Sequence, residues 1–265
     1  MAYPHLPLRV RIFSPVLRVL RPAWVASIVK RIIKIQRLQV QTKHGLFYVD
    51  PISHLGNLLI SEGVYESAMI STLGKYLSPG AVFVDVGANE GYFSVHASAL
   101  VGAEGRVLAI EPQSRLQAVL LENFALNRCG NIKLVSQAVS DSDSTADFYL
   151  TPDTNSGASG LSRVTRYSLP TEAVQTTTLT KLITAEQLGP IDLMKMDIEG
   201  FEYEALFGAE SLLRSRQIKA LALELHPAAM LTRGLDPARL VTFLNDLDYF
   251  LDPSSETSVF LAAQN

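Results

Sequence analysis

The sequence predicts an α/β fold on a mostly parallel sheet covered on both faces, and three observations carry that prediction. Strand-length runs at residues 81–86, 106–110, 132–139, 191–196 and 220–225 are apolar nearly throughout, as strands buried on both faces are. Helix-length segments such as 113–128 and 201–214 separate most of them, which is the alternation that parallel strands with crossover helices require. The first run ends in a glycine-rich turn that leads into another helix. A chain of 265 residues that is 48% hydrophobic and 18% charged is neither disordered nor of low complexity, and it can bury a core without disulfide or metal staples.

In chain order, residues 1–50 form a basic extension and 51–265 the main domain. Nine Lys and Arg residues precede the first acid, Asp50, so residues 1–49 carry +9 and residues 50–265 carry −12. Within the head, Val25, Ile28, Val29, Ile32 and Ile33 recur at helical spacing, with Lys30, Arg31, Lys34 and Arg37 on the remaining arc. This basic amphipathic helix, within 20–38, either packs across the domain or holds the protein peripherally against an anionic membrane. No apolar run reaches the roughly 18–20 residues that span a bilayer, and no convincing signal peptide is present. Cys129, the single cysteine, can form no internal bridge, which fits a cytoplasmic location.

A short β stretch at 46–49 and a helix at 65–76 lead to the turn Ser78-Pro79-Gly80 and then to the apolar runs. Between 141 and 178 no helix is expected; strands at 147–150 and 174–178 flank a Gly/Ser/Thr/Asn-rich loop, 151–162, placed at the rim of a site. Residues 249–251 and 259–262 are joined by a connection too short for a parallel crossover, so they pair as an antiparallel hairpin.

The most informative segment is Val84-Asp85-Val86-Gly87-Ala88-Asn89-Glu90-Gly91-Tyr92-Phe93-Ser94. A strand, a glycine turn and a helix let a ligand approach the backbone and the helix N–H groups. Glu111 ends the next strand, as the ribose-binding acid of a dinucleotide fold does, but the glycines lack the G-x-G-x-x-G spacing that accommodates a pyrophosphate. Asp85 instead suits a ligand carrying a cation, such as a methionine ammonium.

These residues resemble class I S-adenosylmethionine-dependent methyltransferases and, more narrowly, the FkbM family. The resemblance runs from about Gly63 to Pro253 through Gly63-Val64-Tyr65-Glu66, the Asp85–Gly91 turn, Glu111-Pro112, Ala138-Val139-Ser140-Asp141, Lys195-Met196-Asp197-Ile198-Glu199-Gly200 and Glu224-Leu225-His226-Pro227. It implies a Rossmann-like, seven-stranded, mostly parallel sheet with a reversed last hairpin. It also implies S-adenosylmethionine as cofactor. Asp85, Gly87, Ala88, Asn89 and Gly91 are expected at its amino acid end, Glu111 and Pro112 at the ribose, and Ala138 and Val139 at the adenine, with Asp141 a further candidate there. Asp197, beside the transferred methyl, completes the set.

Lys195 and Asp197 share one face of a strand, so either they form an ion pair, with each other or with Asp85, or Asp197 works at the acceptor. Glu202 reads as an acid that complements a helix N-terminus. His226, at the carboxyl end of its strand, is the expected general base, with Asp197 and Glu199 as further catalytic candidates. Asp197, Glu199, Glu224 and His226 are also metal-ligand types, but nothing in their spacing fixes a coordination geometry, and no metal is expected. The family points to a hydroxyl of a sugar, glycolipid or polyketide-like metabolite as acceptor. N-methylation of a small molecule or protein, or a noncatalytic membrane-associated scaffold, are the alternatives. The −12 charge of residues 50–265 argues against nucleic acid as partner. Oligomeric state is left open.

Overall fold

The computed structural model describes residues 6–19, 23–162 and 169–263. Its elements in order are α1 (Leu8–Val19), α2 (Ala23–Ile32), β1 (Leu38–Thr42), β2 (Gly45–Val49), α3 (His54–Ser61), α4 (Ser67–Tyr76), β3 (Val82–Val86), α5 (Tyr92–Val101), β4 (Arg106–Ile110), α6 (Ser114–Leu126), β5 (Ile132–Val135), β6 (Ala138–Val139), β7 (Ser144–Tyr149), β8 (Thr171–Thr177), α7 (Leu179–Ala185), β9 (Leu193–Met196), α8 (Glu202–Phe207), α9 (Glu210–Arg214), β10 (Ala220–Leu223), α10 (Pro227–Thr232), α11 (Pro237–Asp246), β11 (Tyr249–Leu251) and β12 (Val259–Ala262).

Seven strands form one sheet in the order β11-β12-β10-β9-β3-β4-β5. The pairs from β10 to β5 are parallel, while β12 runs antiparallel to both β10 and β11. The expected reversed hairpin is thus the sheet's far edge. Alternation along each strand feeds two cores: Phe83 joins one cluster with Phe93, Leu116 and Leu120, and Val84 and Val86 join the other with Leu108, Ile110, Met194 and Leu221.

Two expected elements are broken. The strand expected over 132–139 leaves the main sheet after Val135, and Ala138–Val139 pairs with β8 in a separate sheet ordered β6-β8-β7. The helix expected over 201–214 divides at Gly208, where a Cβ would come 2.8 Å from the Asp141 Cα and the Ser140 carbonyl oxygen, so the backbone there is tied to β6's exit.

The first 50 residues do not stand apart from the rest. Val40, Phe47 and Val49 of the β1–β2 hairpin belong to the first core cluster. Asn123 Oδ1 accepts from Tyr48 N at 2.6 Å, and the Asn127 amide makes a reciprocal pair with the Leu46 backbone at 2.9 and 2.8 Å. Lys30 pairs with buried Asp50, and Arg37 makes a two-armed bond to buried Glu90 at 2.8 and 3.0 Å. The boundary expected near residue 50 therefore falls inside a shared core. Helix α1, whose apolar pattern is interrupted by arginines and Pro15, was not anticipated.

Candidate functional site

Strand order reverses between β3 and β9, and a cleft opens at the carboxyl ends of those strands, where open α/β sheets bind ligands. Gly87 and Ala88 both donate to the Ile110 carbonyl at 3.0 Å, which locks the turn after β3 onto β4. Gly87 has φ 88°, and a Cβ there would lie 1.9 Å from the Asp197 carbonyl oxygen. Only glycine satisfies both conditions. Gly91, at φ 81°, closes the turn against Leu120 and Phe124, within 2.9 Å of where a Cβ would be.

Glu111 is buried, and its two oxygens accept from Asn89 N at 2.8 Å and Gln113 N at 3.0 Å. Burial pushes its carboxyl up to about 7 in spite of those bonds. Each oxygen keeps a lone pair for a further donor. Gly87, Asn89, Glu111, Pro112, Ala138 and Val139 line the cleft wall, with Phe148 and Leu161 adding apolar surface and Gln137 a polar one.

Asp85, Ala88 and Gly91 lie behind that wall. Asp85 is fully buried; its Oδ2 accepts from Ser94 Oγ at 2.6 Å, and its Oδ1 lies 3.7 Å from Lys195 Nζ. Lys195 is shared with Asp197 at 3.5 Å and points at the Gly87 carbonyl. Burial opposes its charge, but Asp197 and Asp85 outweigh that and raise the ammonium's pKa. The ion pair considered from sequence therefore forms on both sides of Lys195, and Asp85 reaches the cleft through it. Asp141 also stays off the wall, accepting from Ser142 and Ser140 in a turn.

At the other end, Asp197 and Glu199 follow β9, and Glu224 and His226 follow β10. Glu199 adopts a left-handed backbone, φ 56°, which bends the chain at the cleft's edge. His226 Nε2 lies 3.5 Å from Glu199 Oε2 and 3.7 Å from Asp197 Oδ1, while Nδ1 is 2.9 Å from Glu202 Oε1. Glu202 is fully buried and that same oxygen accepts from Ile198 N and Gly200 N at 3.2 and 3.1 Å. It is therefore the group that orients His226, a role the helix-start reading missed. An acid that recurs on the core side of a helix's first turn was the available signal. Burial works against charge on His226, but the Glu202 hydrogen bond and the charges of Glu199, Glu202 and Asp197 prevail, and its pKa is pushed up to about 9. Burial, reinforced by neighbouring carboxylates, lifts Glu199 to about 7 against the pull of His226.

Atoms of Asp197, Glu199 and His226 suited to ligate a metal lie within 4.8 Å of one another. Lys195 and the imidazolium already neutralise those oxygens. Tyr65 and Glu66, part of the quoted Gly63–Glu66 motif but given no role from sequence, also line the cleft, and burial together with Glu66 holds the Tyr65 hydroxyl firmly protonated.

The residues present fit S-adenosylmethionine. Asn89 Oδ1 is a buried acceptor that no described residue satisfies, at the end of the cleft where an amino group is expected. Glu111 has acceptor capacity for a diol, and Ala138, Val139, Phe148 and Leu161 offer an apolar face for a base.

Comparison with known proteins agrees. Residues 85–251 match the family described as the methyltransferase FkbM domain, and residues 18–142 also match the protein-L-isoaspartate(D-aspartate) O-methyltransferase family. Over 65 residues the chain is 40% identical to the ribosomal protein L11 methyltransferase of Carboxydothermus hydrogenoformans, a stretch covering 24% of this chain and 21% of that relative. Among solved structures, a methyltransferase FkbM from Methylobacillus flagellatus KT aligns over 96% of this chain and 58% of its own at 15% identity and a TM-score of 0.45. A methyltransferase of Streptococcus mutans solved with SAH aligns over 73% and 94% at 12% identity and a TM-score of 0.45. The match to the FkbM profile takes in the glycine turn, Glu111 and the His226 strand end, and the chain accordingly belongs to the FkbM methyltransferase domain family.

Proposed function

We propose that the protein methylates oxygen: it transfers a methyl group to a hydroxyl of a small acceptor such as a sugar, a glycolipid or a polyketide-like metabolite. The observation that carries this reading is His226, with Glu202 on one nitrogen and Asp197 and Glu199 beside the other. An alcohol is a weak nucleophile until its proton is taken, whereas an amine acceptor needs far less help from a base.

The bound cofactor supplies an electrophilic methyl. The chain supplies alignment, a water-poor cleft and a proton acceptor. Gly87 and Asn89 hold the amino acid end, with Ala88 and Gly91 fixing the turn behind them, Glu111 and Pro112 hold the ribose, and Ala138 and Val139 the adenine. Asp85 acts through Lys195. Glu202 keeps its hydrogen bond to Nδ1, so Nε2 is the nitrogen that faces the acceptor. A sulfonium near this cluster lowers the imidazole pKa from about 9, opposing the carboxylates that raised it. His226 then takes the hydroxyl proton while Asp197 and Glu199 hold the acceptor by hydrogen bonds. The −12 balance of residues 50–265 disfavours nucleic acid as acceptor.

The test is incubation of the purified protein with methyl-labelled cofactor and cell extract, with label followed into saccharide, lipid, protein and RNA. Label in an alkali-stable ether of a saccharide or lipid is expected. Label confined to protein or RNA removes this reading while leaving methyl transfer intact.

A further inference from the structure

The first two helices are apolar on two faces. In α1, Val10 and Leu17 are buried against Ile35 and Ile52, yet Leu8, Ile12, Phe13 and Val16 are exposed on its other side. In α2, Val29 turns inward, as does Ile33 just after it, while Ile28 and Ile32 turn out. Of the ten large apolar side chains exposed among the described residues, six lie in these two helices, which are about a tenth of the chain. Single exposed leucines need no explanation, but a stripe at i, i+4 and i+8 continued on a neighbouring helix does.

The charge around the stripe selects what covers it. Arg9, Arg11, Arg31 and Lys34 are exposed beside it, and the sequence has no acid before Asp50. Apolar side chains that insert and guanidinium groups that remain at the headgroups are the two components of an interfacial helix, whereas a face carrying Arg9, Arg11, Arg31 and Lys34 repels a second copy of itself. No described helix is long and apolar enough to cross a membrane. We infer that α1 and α2 together form a docking surface for an anionic bilayer, with Leu8, Ile12, Phe13 and Val16 entering the interface. The sequence left the second helix between packing across the domain and such a contact; the structure adds the first helix, with four exposed large apolar side chains. Helix α2 also lies against the turn Asp153–Ala158, whose Asn155 and Gly157 line the cleft, so a surface seated on these helices bears on an element of the site.

The experiment is sedimentation of the full chain with vesicles of phosphatidylcholine alone or mixed with phosphatidylglycerol, at low and high salt, beside calorimetric titration with cofactor. Binding to the anionic vesicles should exceed binding to neutral ones by about tenfold or more at low salt and fall as salt is added. Ile12→Glu with Val16→Glu should remove binding, Arg9→Gln with Arg11→Gln should weaken it severalfold, and both variants should bind cofactor as the parent does. Equal partitioning onto neutral and anionic vesicles, or undiminished binding by the Ile12/Val16 variant, overturns the inference. So does a concentration-dependent dimer that this same variant dissolves in lipid-free buffer, because the stripe is then covered by a second copy. Cofactor affinity, read separately, shows whether the methyltransferase reading stands in any of these cases.

Discussion

Along β3 and β4 the carboxylates are tied down: Glu111 by two backbone N–H groups, Asp85 by Ser94 and Lys195. At the ends of β9 and β10 the pattern inverts, and Asp197, Glu199 and Glu202 surround one imidazole. The first arrangement uses fixed dipoles and glycine backbone to present a rigid surface. The second sets Glu199, at about 7, beside His226, at about 9. One half of the cleft is therefore shaped to bind, and the other to exchange a proton.

The strongest way to break the binding half is Gly87→Ala. Its Cβ meets a backbone oxygen at 1.9 Å in a left-handed conformation, so β9's exit must shift. Cofactor affinity by calorimetry should drop by about a hundredfold or more, if the chain folds at all. Gly80→Ala is the control: φ is 86° there too, but nothing lies within 4 Å, and only strain of about 1 kcal/mol is expected.

His226→Ala tests the other half. Turnover under conditions where chemistry limits the rate should fall by roughly 10²-fold, the range usual for loss of a general base, with cofactor affinity nearly unchanged. A metal chelator should leave parent turnover as it was. Loss with chelator would transfer the cluster's role to a divalent cation, and full turnover by the variant would make Glu199 or Asp197 the preferred base.

The two halves also differed in how plainly the sequence announced them. Glycines at Gly87 and Gly91, an acid ending a strand at Glu111 and continuous apolar runs are local signals, and the sheet and the reversed hairpin were legible from them. What escaped depends on distant partners. Nothing near Glu202 says that His226, 24 residues later, will sit 2.9 Å away. The Lys195 pair with Asp85 was one of the alternatives the strand spacing left open, and it forms beside the pair with Asp197. Phe148 and Gln137 reach the cleft because β6 leaves the main sheet, a break that an unbroken apolar run conceals. Helix α1 was missed because its exposed face is apolar, the reverse of the pattern that marks a surface helix.

Glu202→Gln sharpens the comparison with a smaller effect. The amide oxygen can still accept from Nδ1, but the charge that raises the imidazole is gone, so the rising limb of turnover against pH should move to lower pH by about one unit. The same substitution checks stability. A histidine raised to about 9 in the folded state stabilises fully below its unfolded value near 6.5, and that contribution is lost as pH climbs through 9. Thermal melts of the parent should therefore weaken between pH 7 and 9 more than those of the variant. An unmoved limb would mean that Glu202 only packs.

The smallest predicted effect concerns Glu111, the one group in the binding half whose proton is not settled at neutrality. Its carboxyl sits at about 7 against an ordinary 4.5, so the folded chain holds this proton more tightly than the unfolded chain, and its contribution to stability declines as pH rises from 4.5 to 7. Cofactor binding should run the opposite way. Ribose hydroxyls donate best to the ionised carboxylate, and with a midpoint of about 7 the ionised fraction grows roughly tenfold between pH 6 and 8, which sets the largest gain in affinity this group can give. Calorimetric titration at several pH values should show that rise, followed by a plateau. Glu199 also titrates at about 7, and a sulfonium would favour its charged form, so the slope needs assigning. Glu199→Gln should keep most of the pH dependence, and Glu111→Gln should bind weakly at every pH with the slope removed. If instead the slope survives in Glu111→Gln and disappears in Glu199→Gln, the cofactor senses the proton-exchanging half of the cleft, and the division between a binding half and a reactive half fails at that point.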